Sequence, residues 1–366
     1  MTRRLALVAD ALVTPGGAEK VFAVMCEAFP DADVFTSRCL PQALPPGLAG
    51  RAIRELVDPA MFPDERSLKT RYPLAAWQMG RHDFSGYDTI LASSAHLARY
   101  ISPGRARFLC YSYYPFRLLY EPERYTELRG ARRLAFAAAR PLLRAWDQRV
   151  ARRVDRFIAI SEASRAAIRR HYGRDADVIP SPILNLPARL EPAVRGDHFL
   201  VVSRLERWKL IDVVIRAFAE LPGLRLVVVG DGPERPALEA MATPNVHFAG
   251  RAPEAELERL YRTARALIHP TPTEYGLTPI EANAYGTPAI CVGVGGCLET
   301  MVPWPAADGA ASALFFDAPE PGAVRDAVRR FEQLSFDPSA CFRNAQRFGR
   351  EPFVAALRDY VTRHGG

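Results

Sequence analysis

Ala266-Leu-Ile-His-Pro-Thr-Pro-Thr-Glu-Tyr-Gly-Leu-Thr-Pro-Ile-Glu281, continuing Ala282-Asn-Ala-Tyr-Gly-Thr-Pro-Ala-Ile290, is the stretch whose reading decides the fold. The apolar run Ala266 to Ile268 predicts a buried strand. A Pro/Thr-rich loop follows, and Gly276 lies where it turns towards a helix that Thr278-Pro279 starts, since Thr or Ser before a first-turn Pro is a helix-start signal. A glycine loop entering a helix offers unpaired N–H groups and the positive end of the helix dipole, an arrangement that suits phosphate. Glu281, one turn in, would be within reach of a ribose hydroxyl if a nucleotide lay at this loop. Gly286-Thr287-Pro288 ends the helix, and Ala289 to Val292 forms the next strand. By itself this segment also reads as an ordinary α/β unit, because one glycine loop is a weak signal; its neighbours give it meaning.

Upstream the same unit recurs. Phe199 to Val202 is a strand with Arg204 and Lys209 close behind it. The strand Leu224 to Val229 ends in Gly230-Asp-Gly-Pro-Glu234, and Val246 to Arg251 is a short strand ending at Gly250. Arg204, Lys209, Gly230 and Gly276 all sit at strand-to-helix turns, which gathers them on one edge of a parallel sheet. Two cations and helix N-termini on such an edge describe a diphosphate site.

The N-terminal half reads the same way. The strand Leu5 to Ala9 is followed by Asp10, the loop Thr14-Pro-Gly-Gly-Ala-Glu-Lys20 and a helix, with Gly16 and Gly17 letting backbone approach a ligand. Later strands end in Ser93, Ser94 and His96, and in Tyr113 and Arg117, along the carboxyl edge where parallel sheets bind ligands. Ser161 is the expected cap of the helix that follows the strand near Val154, and the proline-rich stretch 180–192 is the expected interdomain linker. Asp31-Ala-Asp33 and Asp175-Ala-Asp177 have metal-site spacing but precede strands, so both are assigned to the opposite edge and no metal site is expected. A nicotinamide site is not expected either, because no Gly-x-Gly-x-x-Gly follows the first strand.

With 366 residues the chain has room for two domains. The six scattered cysteines, with no Cys-x-x-Cys pair, read as buried thiols. No apolar run has membrane-spanning length and no signal peptide is evident, so a cytoplasmic protein is expected. The net charge of +7 allows an anionic partner. The arginine- and alanine-rich stretch 124–156 reads as a solvated helix face, interrupted at Pro141; the alternative is peripheral contact with an anionic inner membrane face. A nucleic-acid partner is not expected, since no DNA- or RNA-binding module accompanies the charge.

Taken together, Val202-Ser-Arg-Leu…Trp-Lys209, Val229-Gly-Asp-Gly-Pro-Glu234, Phe248-Ala-Gly-Arg251, Tyr275-Gly-Leu-Thr-Pro-Ile-Glu-Ala282…Gly286-Thr-Pro288 and Gly295-Gly296…Glu299-Thr300 resemble the retaining glycosyltransferases of family 4. Pro15-Gly-Gly-Ala-Glu-Lys-Val21 and Phe29-Pro-Asp-Ala-Asp-Val-Phe-Thr36 resemble a bacterial branch in which mannosyltransferases of polysaccharide assembly are common. The resemblance implies an α/β protein of GT-B architecture: two Rossmann-like domains facing an interdomain cleft, over 1–185 (acceptor side) and 186–348 (nucleotide-sugar side), with a C-terminal helix in 349–366 packing back on the first. It implies that Arg204 and Lys209 bind the donor diphosphate with Gly16 and Gly17 close by. The loop Thr273, Glu274, Tyr275, Gly276, Leu277 and Thr278 would support phosphate or sugar, and Glu281 would hold the ribose. Gly230, Gly250 and Arg251 would border the base, and His96, Tyr113 and Arg117 would lie on the acceptor side. Two positions depart from the family pattern. Thr273 stands where a glutamate is common, with Glu274 next to it as the candidate catalytic carboxylate beside Arg204 and Lys209, and Tyr113 replaces a histidine associated with the sugar.

The donor implied is a nucleotide diphosphate sugar, with no cofactor and no metal. Three functions stay open: transfer of mannose from GDP-mannose to a polysaccharide or lipid-linked acceptor, transfer from a UDP- or dTDP-sugar to a soluble natural product, and a non-catalytic sugar-nucleotide-binding subunit.

Overall fold

The computed structural model describes residues 4–14, 16–122 and 130–366, and all but the side chain of Arg132 within them. Pro15 and positions 124–129 of the basic stretch lie outside the described residues. The chain forms two compact units, Met1–Pro182 with Arg350–Gly366, and Ile183–Gly349.

Unit 1 is built on seven parallel strands: β1 Leu5–Ala9, β2 Asp33–Thr36, β3 Ile53–Glu55, β4 Thr89–Ser94, β5 Arg107–Ser112, β6 Arg156–Ala159 and β7 Ala176–Val178. Their order is β3-β2-β1-β4-β5-β6-β7. Leu7 pairs with Val34 on one side and with Leu91 on the other. β4 is buried along its whole length and β5 from its second residue on, because helices cover both faces and every position then faces apolar neighbours. The helix Arg350–His364 belongs to this unit. Phe353 packs edge-on against Tyr111 at 5.7 Å, Tyr360 donates to Asp177 at 2.6 Å, and Arg358 Nε donates to the Ala28 carbonyl at 2.8 Å.

The helix Gly130–Ala151 runs unbroken through Pro141, which corrects the expected interruption. Tertiary packing outweighs the lost hydrogen bond and the ring clash: Phe136, Leu143 and Trp146 pack on the core, and Asp147 is buried inside it. Asp147 Oδ1 accepts from Arg99 Nε at 3.0 Å, Arg99 Nη2 at 2.8 Å and Tyr100 at 2.7 Å, and its Oδ2 accepts from Tyr120 at 3.0 Å and Tyr172 at 2.9 Å. A carboxylate shielded from water needs this many donors.

Unit 2 carries β8 His198–Val202, β9 Arg225–Val229, β10 Val246–Gly250, β11 Leu267–His269, β12 Ala289–Val292 and β13 Ala313–Phe316, all parallel, in the order β10-β9-β8-β11-β12-β13. Both units thus follow the doubly wound pattern in which strand order reverses beside the first strand, leaving a crevice at the carboxyl edge. The reversals fall between β1 and β4 and between β8 and β11.

Ser161 caps the helix Glu162–Tyr172 by accepting from Ser164 N at 3.0 Å. The six cysteines are unbridged, five of them buried and Cys39 half-buried. Asp33 accepts from Tyr87 at 2.7 Å, and Asp175 is engaged by Arg165 and Arg169. Among the described residues no helix is long and apolar enough to cross a membrane.

Candidate functional site

In unit 2 the turns after β8, β9 and β10 are tied together by backbone. Ser203 N donates to Val229 O at 3.0 Å, Leu205 N to Asp231 O at 2.9 Å, and Gly230 N to Gly250 O at 2.7 Å. Gly230 has φ +132° and its missing Cβ would collide with the Ser203 carbonyl, so only glycine permits this approach. The turn after β8 therefore stands in a set position, with Arg204 at its crest. The Arg204 side chain is 70% exposed and is paired with Glu206 Oε1 at 2.8 Å. Glu206 also accepts from Trp208 Nε1, and Lys209 Nζ lies 4.1 Å from the centre of the Trp208 ring. Glu206 and Trp208 thus hold the two cations, a role the sequence reading did not assign; the carboxylate and the indole inside Arg204-Leu-Glu-Arg-Trp-Lys209 were the available signal. Leu210, next in line, adopts left-handed backbone (φ 56°, ψ 35°) at the start of the helix Ile211–Ala219. Such strain in a branched residue is held only where surrounding structure enforces it.

Across the strand-order reversal, buried Thr271 donates its hydroxyl to the Lys209 carbonyl at 2.8 Å, binding the loop after β11 to the loop after β8. His269, the last residue of β11, lies beneath this loop. Its Nε2 is 3.3 Å from Thr273 Oγ1 and its Nδ1 3.3 Å from Thr278 Oγ1. Burial, reinforced by the Lys209 charge, pushes its pKa down to about 3. The neutral ring accepts from one threonine and donates to the other, bracing both ends of the turn. The sequence reading ended the strand at Ile268 and missed this residue.

Gly276 takes φ +82°, ψ +59°, and a Cβ there would stand 2.9 Å from Cys297 Sγ. Gly296 N donates to Thr273 O at 2.8 Å, so the Gly295-Gly296 turn closes under the loop. The helix Leu277–Ala284 begins with no side-chain cap hydrogen bond among the described residues, and the amides of a helix's first turn, which lack intrahelical partners, favour an anion. Glu281 accepts from Tyr261 at 3.0 Å, and Tyr261 stacks on Tyr285 with ring centres 5.7 Å apart. Glu274 is half-buried in the loop. The Tyr275 side chain turns inward against Phe348, so its contribution at the loop surface is backbone. Arg251, 86% exposed, stands at the rim 4.0 Å from Asp231, beyond Gly250.

In unit 1 the reversal point is organised by Asp10, the first residue after β1. It accepts from Ala95 N at 2.6 Å, His96 N at 2.9 Å, Ala98 N at 2.6 Å and Ser94 Oγ at 3.1 Å, and its Oδ2 lies 2.9 Å from His96 Nδ1. Burial alone would raise its pKa, but His96 and the amides outweigh burial and bring it to about 2. Asp10 is therefore the charged anchor of the turn that presents His96. His96 and Arg117 line a cavity of about 1070 Å3 together with Asp10 and Glu19. Tyr113 lies outside that lining. Its hydroxyl meets Ser93 Oγ at 3.0 Å and donates to Ala18 O at 3.1 Å, pinning the first turn of the helix Gly17–Ala28. Gly16 precedes that helix in extended backbone (φ −126°, ψ 178°), and the cavity is reached by Thr14, Ala18 and Glu19 rather than by Gly16 or Gly17. Sequence reading passed over Asp10 and Glu19 because carboxylates beside a strand end are ordinary until their partners are known.

The family model for glycosyl transferases group 1 matches residues 186–348, and that for Glycosyltransferase Family 4 matches residues 15–184. The chain belongs to the family 4 glycosyltransferases. Within this family it is similar to the D-inositol 3-phosphate glycosyltransferases of Mycobacteroides abscessus (35% identical over 157 residues, 39% of this chain and 35% of that protein) and Mycobacterium leprae (31% over 228 residues, 56% and 52%). The match thus spans about half or less of those relatives. Its fold is that of the solved structures of Thermosynechococcus elongatus sucrose-phosphate synthase (TM-score 0.72, 18% identity, 99% of each chain) and of Anabaena HepE in complex with UDP and glucose (TM-score 0.67, 18% identity, 98% and 99%). These likenesses give the two Rossmann-like domains of a GT-B protein.

Proposed function

We propose that the protein transfers a sugar from a nucleotide diphosphate sugar to a hydroxyl acceptor, with the donor held by unit 2 and the acceptor by unit 1. The observation that supports this reading is the hydrogen bond from Thr271 to the Lys209 carbonyl, which joins the loop after β8, bearing Arg204 and Lys209, to the loop that leads into the helix Leu277–Ala284. In this reading the cations and amides hold the diphosphate and Glu281, oriented by Tyr261, takes the ribose. Gly230, Gly250 and Arg251 border the base, and the 273–278 loop with Glu274 supports the sugar.

Negative charge grows on the departing phosphate, and donors already in place stabilise it without reorganisation. The phosphate can then take the acceptor hydroxyl's proton on the face it leaves, so the anomeric configuration is retained and no protein nucleophile or metal is needed. Positioning supplies much of the remaining rate. The donor we favour is GDP-mannose, on the resemblance of the N-terminal stretches 15–21 and 29–36 to a mannosyltransferase branch.

The test is a thermal-shift panel of GDP, UDP, dTDP and ADP with their common sugar conjugates, since a ligand binding only folded protein raises its apparent stability. The expected result is stabilisation by one base, GDP on our reading, lost in Arg204→Ala and Lys209→Ala. Stabilisation by UDP or dTDP alone would replace the mannose donor. Binding without turnover on any hydroxyl acceptor would favour a non-catalytic subunit.

A further inference from the structure

We infer that Glu206 determines specificity at the donor site: its carboxylate disfavours ligands more negative than a nucleotide diphosphate sugar, and so hastens departure of the nucleoside diphosphate product. This rests on the donor reading of unit 2. Glu206 Oε1 accepts from Arg204 Nη1 at 2.8 Å, and its Oε2 accepts from Trp208 Nε1. Among the described residues the other N–H groups of Arg204 have no partner, and its side chain is 70% exposed. Part of the guanidinium is thus taken by a carboxylate while the rest is open to phosphate.

An exposed arginine–carboxylate pair is weak and yields to a better anion. This one is pinned. Trp208 holds the second carboxylate oxygen, and the Glu206 side chain is only 28% exposed. The backbone beneath is fixed as well. Leu205 is fully buried, its amide donates to Asp231 O at 2.9 Å, and its carbonyl accepts from Glu234 N at 3.0 Å. Glu206 O in turn accepts from Lys209 N at 2.9 Å, closing the short turn Arg207–Lys209. The Glu206 charge therefore remains beside Arg204 when a ligand binds there.

A carboxylate and a phosphate sharing one guanidinium stand roughly 6 Å apart, two hydrogen-bond lengths with the fork between. At that distance each further negative charge on the ligand weakens binding by at least about threefold, and by more where the ligand excludes water. Donor and product differ in this respect. When the bond from sugar to phosphate breaks, its electron pair stays on the phosphate. Once the acceptor's proton has passed on to water, the product carries about one negative charge more than the donor, because a terminal phosphate loses its second proton at about pH 6. A nucleoside triphosphate carries about two more. Arg204 and Lys209 alone would hold product and triphosphate more tightly than the donor, and Glu206 offsets that preference. Its cost is a weaker hold on the transition state, in which part of the same charge has formed.

The test is titration calorimetry of the full chain at pH 8, without divalent metal. The ligands are GDP-mannose, GDP and GTP, with UDP-glucose, UDP and UTP as the uridine set. In Glu206→Gln the affinity for the diphosphate relative to its sugar ester should rise at least about threefold over wild type, and that for the triphosphate about tenfold. Loss of Arg204 placement would instead weaken the more charged ligands most and move the ratios the other way. The difference from wild type should shrink as salt is raised. Trp208→Phe keeps the carboxylate and a ring beside Lys209 but removes the pinning N–H, and should show part of the same shift. Glu220→Gln is the control. It removes an equal charge at the far end of the helix Ile211–Ala219, where Glu220 pairs with Arg325, and should leave both ratios at their wild-type values.

Circular dichroism confirms that each variant folds; if Glu206→Gln does not, Trp208→Phe decides by the same ratios. Ratios that stay unchanged or fall mean that the carboxylate only holds Arg204 in place, and overturn the proposal. An equal rise in Glu220→Gln assigns the effect to net charge and overturns it as well. Failure of the wild type to bind any of these ligands removes the donor reading and this proposal with it, whereas binding with unchanged ratios removes the proposal alone.

Discussion

Replacing Gly276 by alanine tests whether the loop geometry, rather than its composition, makes the donor site. Two costs can be separated. The backbone at Gly276 is left-handed, which costs an L-residue about 1–2 kcal/mol, offset by roughly 0.4–1 kcal/mol because alanine stiffens the unfolded chain. The new Cβ would also stand 2.9 Å from Cys297 Sγ inside a packed wall, and overpacking of this kind costs about 1–3 kcal/mol. Together these give a destabilisation of about 1–4.5 kcal/mol, centred near 3. Cys297→Ala removes the obstructing sulfur but leaves the backbone conformation unchanged. In the double variant Gly276→Ala/Cys297→Ala the clash therefore vanishes and about 1 kcal/mol of backbone cost remains, beyond whatever Cys297→Ala costs alone. Urea unfolding of the four proteins gives the coupling directly, and the nucleotide thermal shift reports whether the loop still binds. A Gly276→Ala protein within about 0.5 kcal/mol of wild type, or a coupling near zero, would refute the assignment of Gly276 as a position enforced by conformation and by Cys297.

Three further outcomes follow from the same structure. Arg204→Ala and Lys209→Ala should each weaken the stabilising nucleotide by roughly 10- to 100-fold, the loss of one charge-assisted contact of about 1.5–3 kcal/mol, and titration calorimetry measures it. Asp147→Asn strips the partner from fully buried Arg99 and should cost about 3–5 kcal/mol in urea unfolding; a loss below about 1 kcal/mol would mean that Arg99 finds another acceptor. His269 has a folded pKa of about 3 against about 6.5 unfolded. Between those values the unfolded chain holds the extra proton, so this contribution is complete above about pH 6.5 and is lost as pH falls towards 3. Asp10 adds a second loss between 3.8 and about 2. His269→Gln should flatten the upper window while leaving the lower one, as read in melting temperatures from pH 8 to pH 2.

Much of the architecture was legible along the chain because its signals are local. Apolar runs bounded by Gly and Pro mark strands, Ser161 marks a cap, and glycine turns behind successive strands imply a common sheet edge. The boundaries moved by a residue or two, and at His269 that small move matters, since it changes a loop residue into a buried brace. Pro141 was misread because propensity is a local preference, and the packing of Phe136, Leu143 and Trp146 overrides it. Asp10 could not be singled out because its amide donors lie 85 to 88 residues further along the chain. Glu206 and Trp208 were within sight, but a carboxylate beside an arginine usually signals a solvated pair.

The sequence by itself determined the layer structure, two parallel α/β sheets, and which turns share an edge, because side-chain period and backbone stereochemistry act over a few residues. Only the tertiary structure decided which of those turns meet. The Thr271–Lys209 bond joins residues 62 apart, and strand order, not sequence spacing, brings them together. The same holds for the charge states of His269 and Asp10, which depend on burial and on neighbours contributed by other parts of the chain.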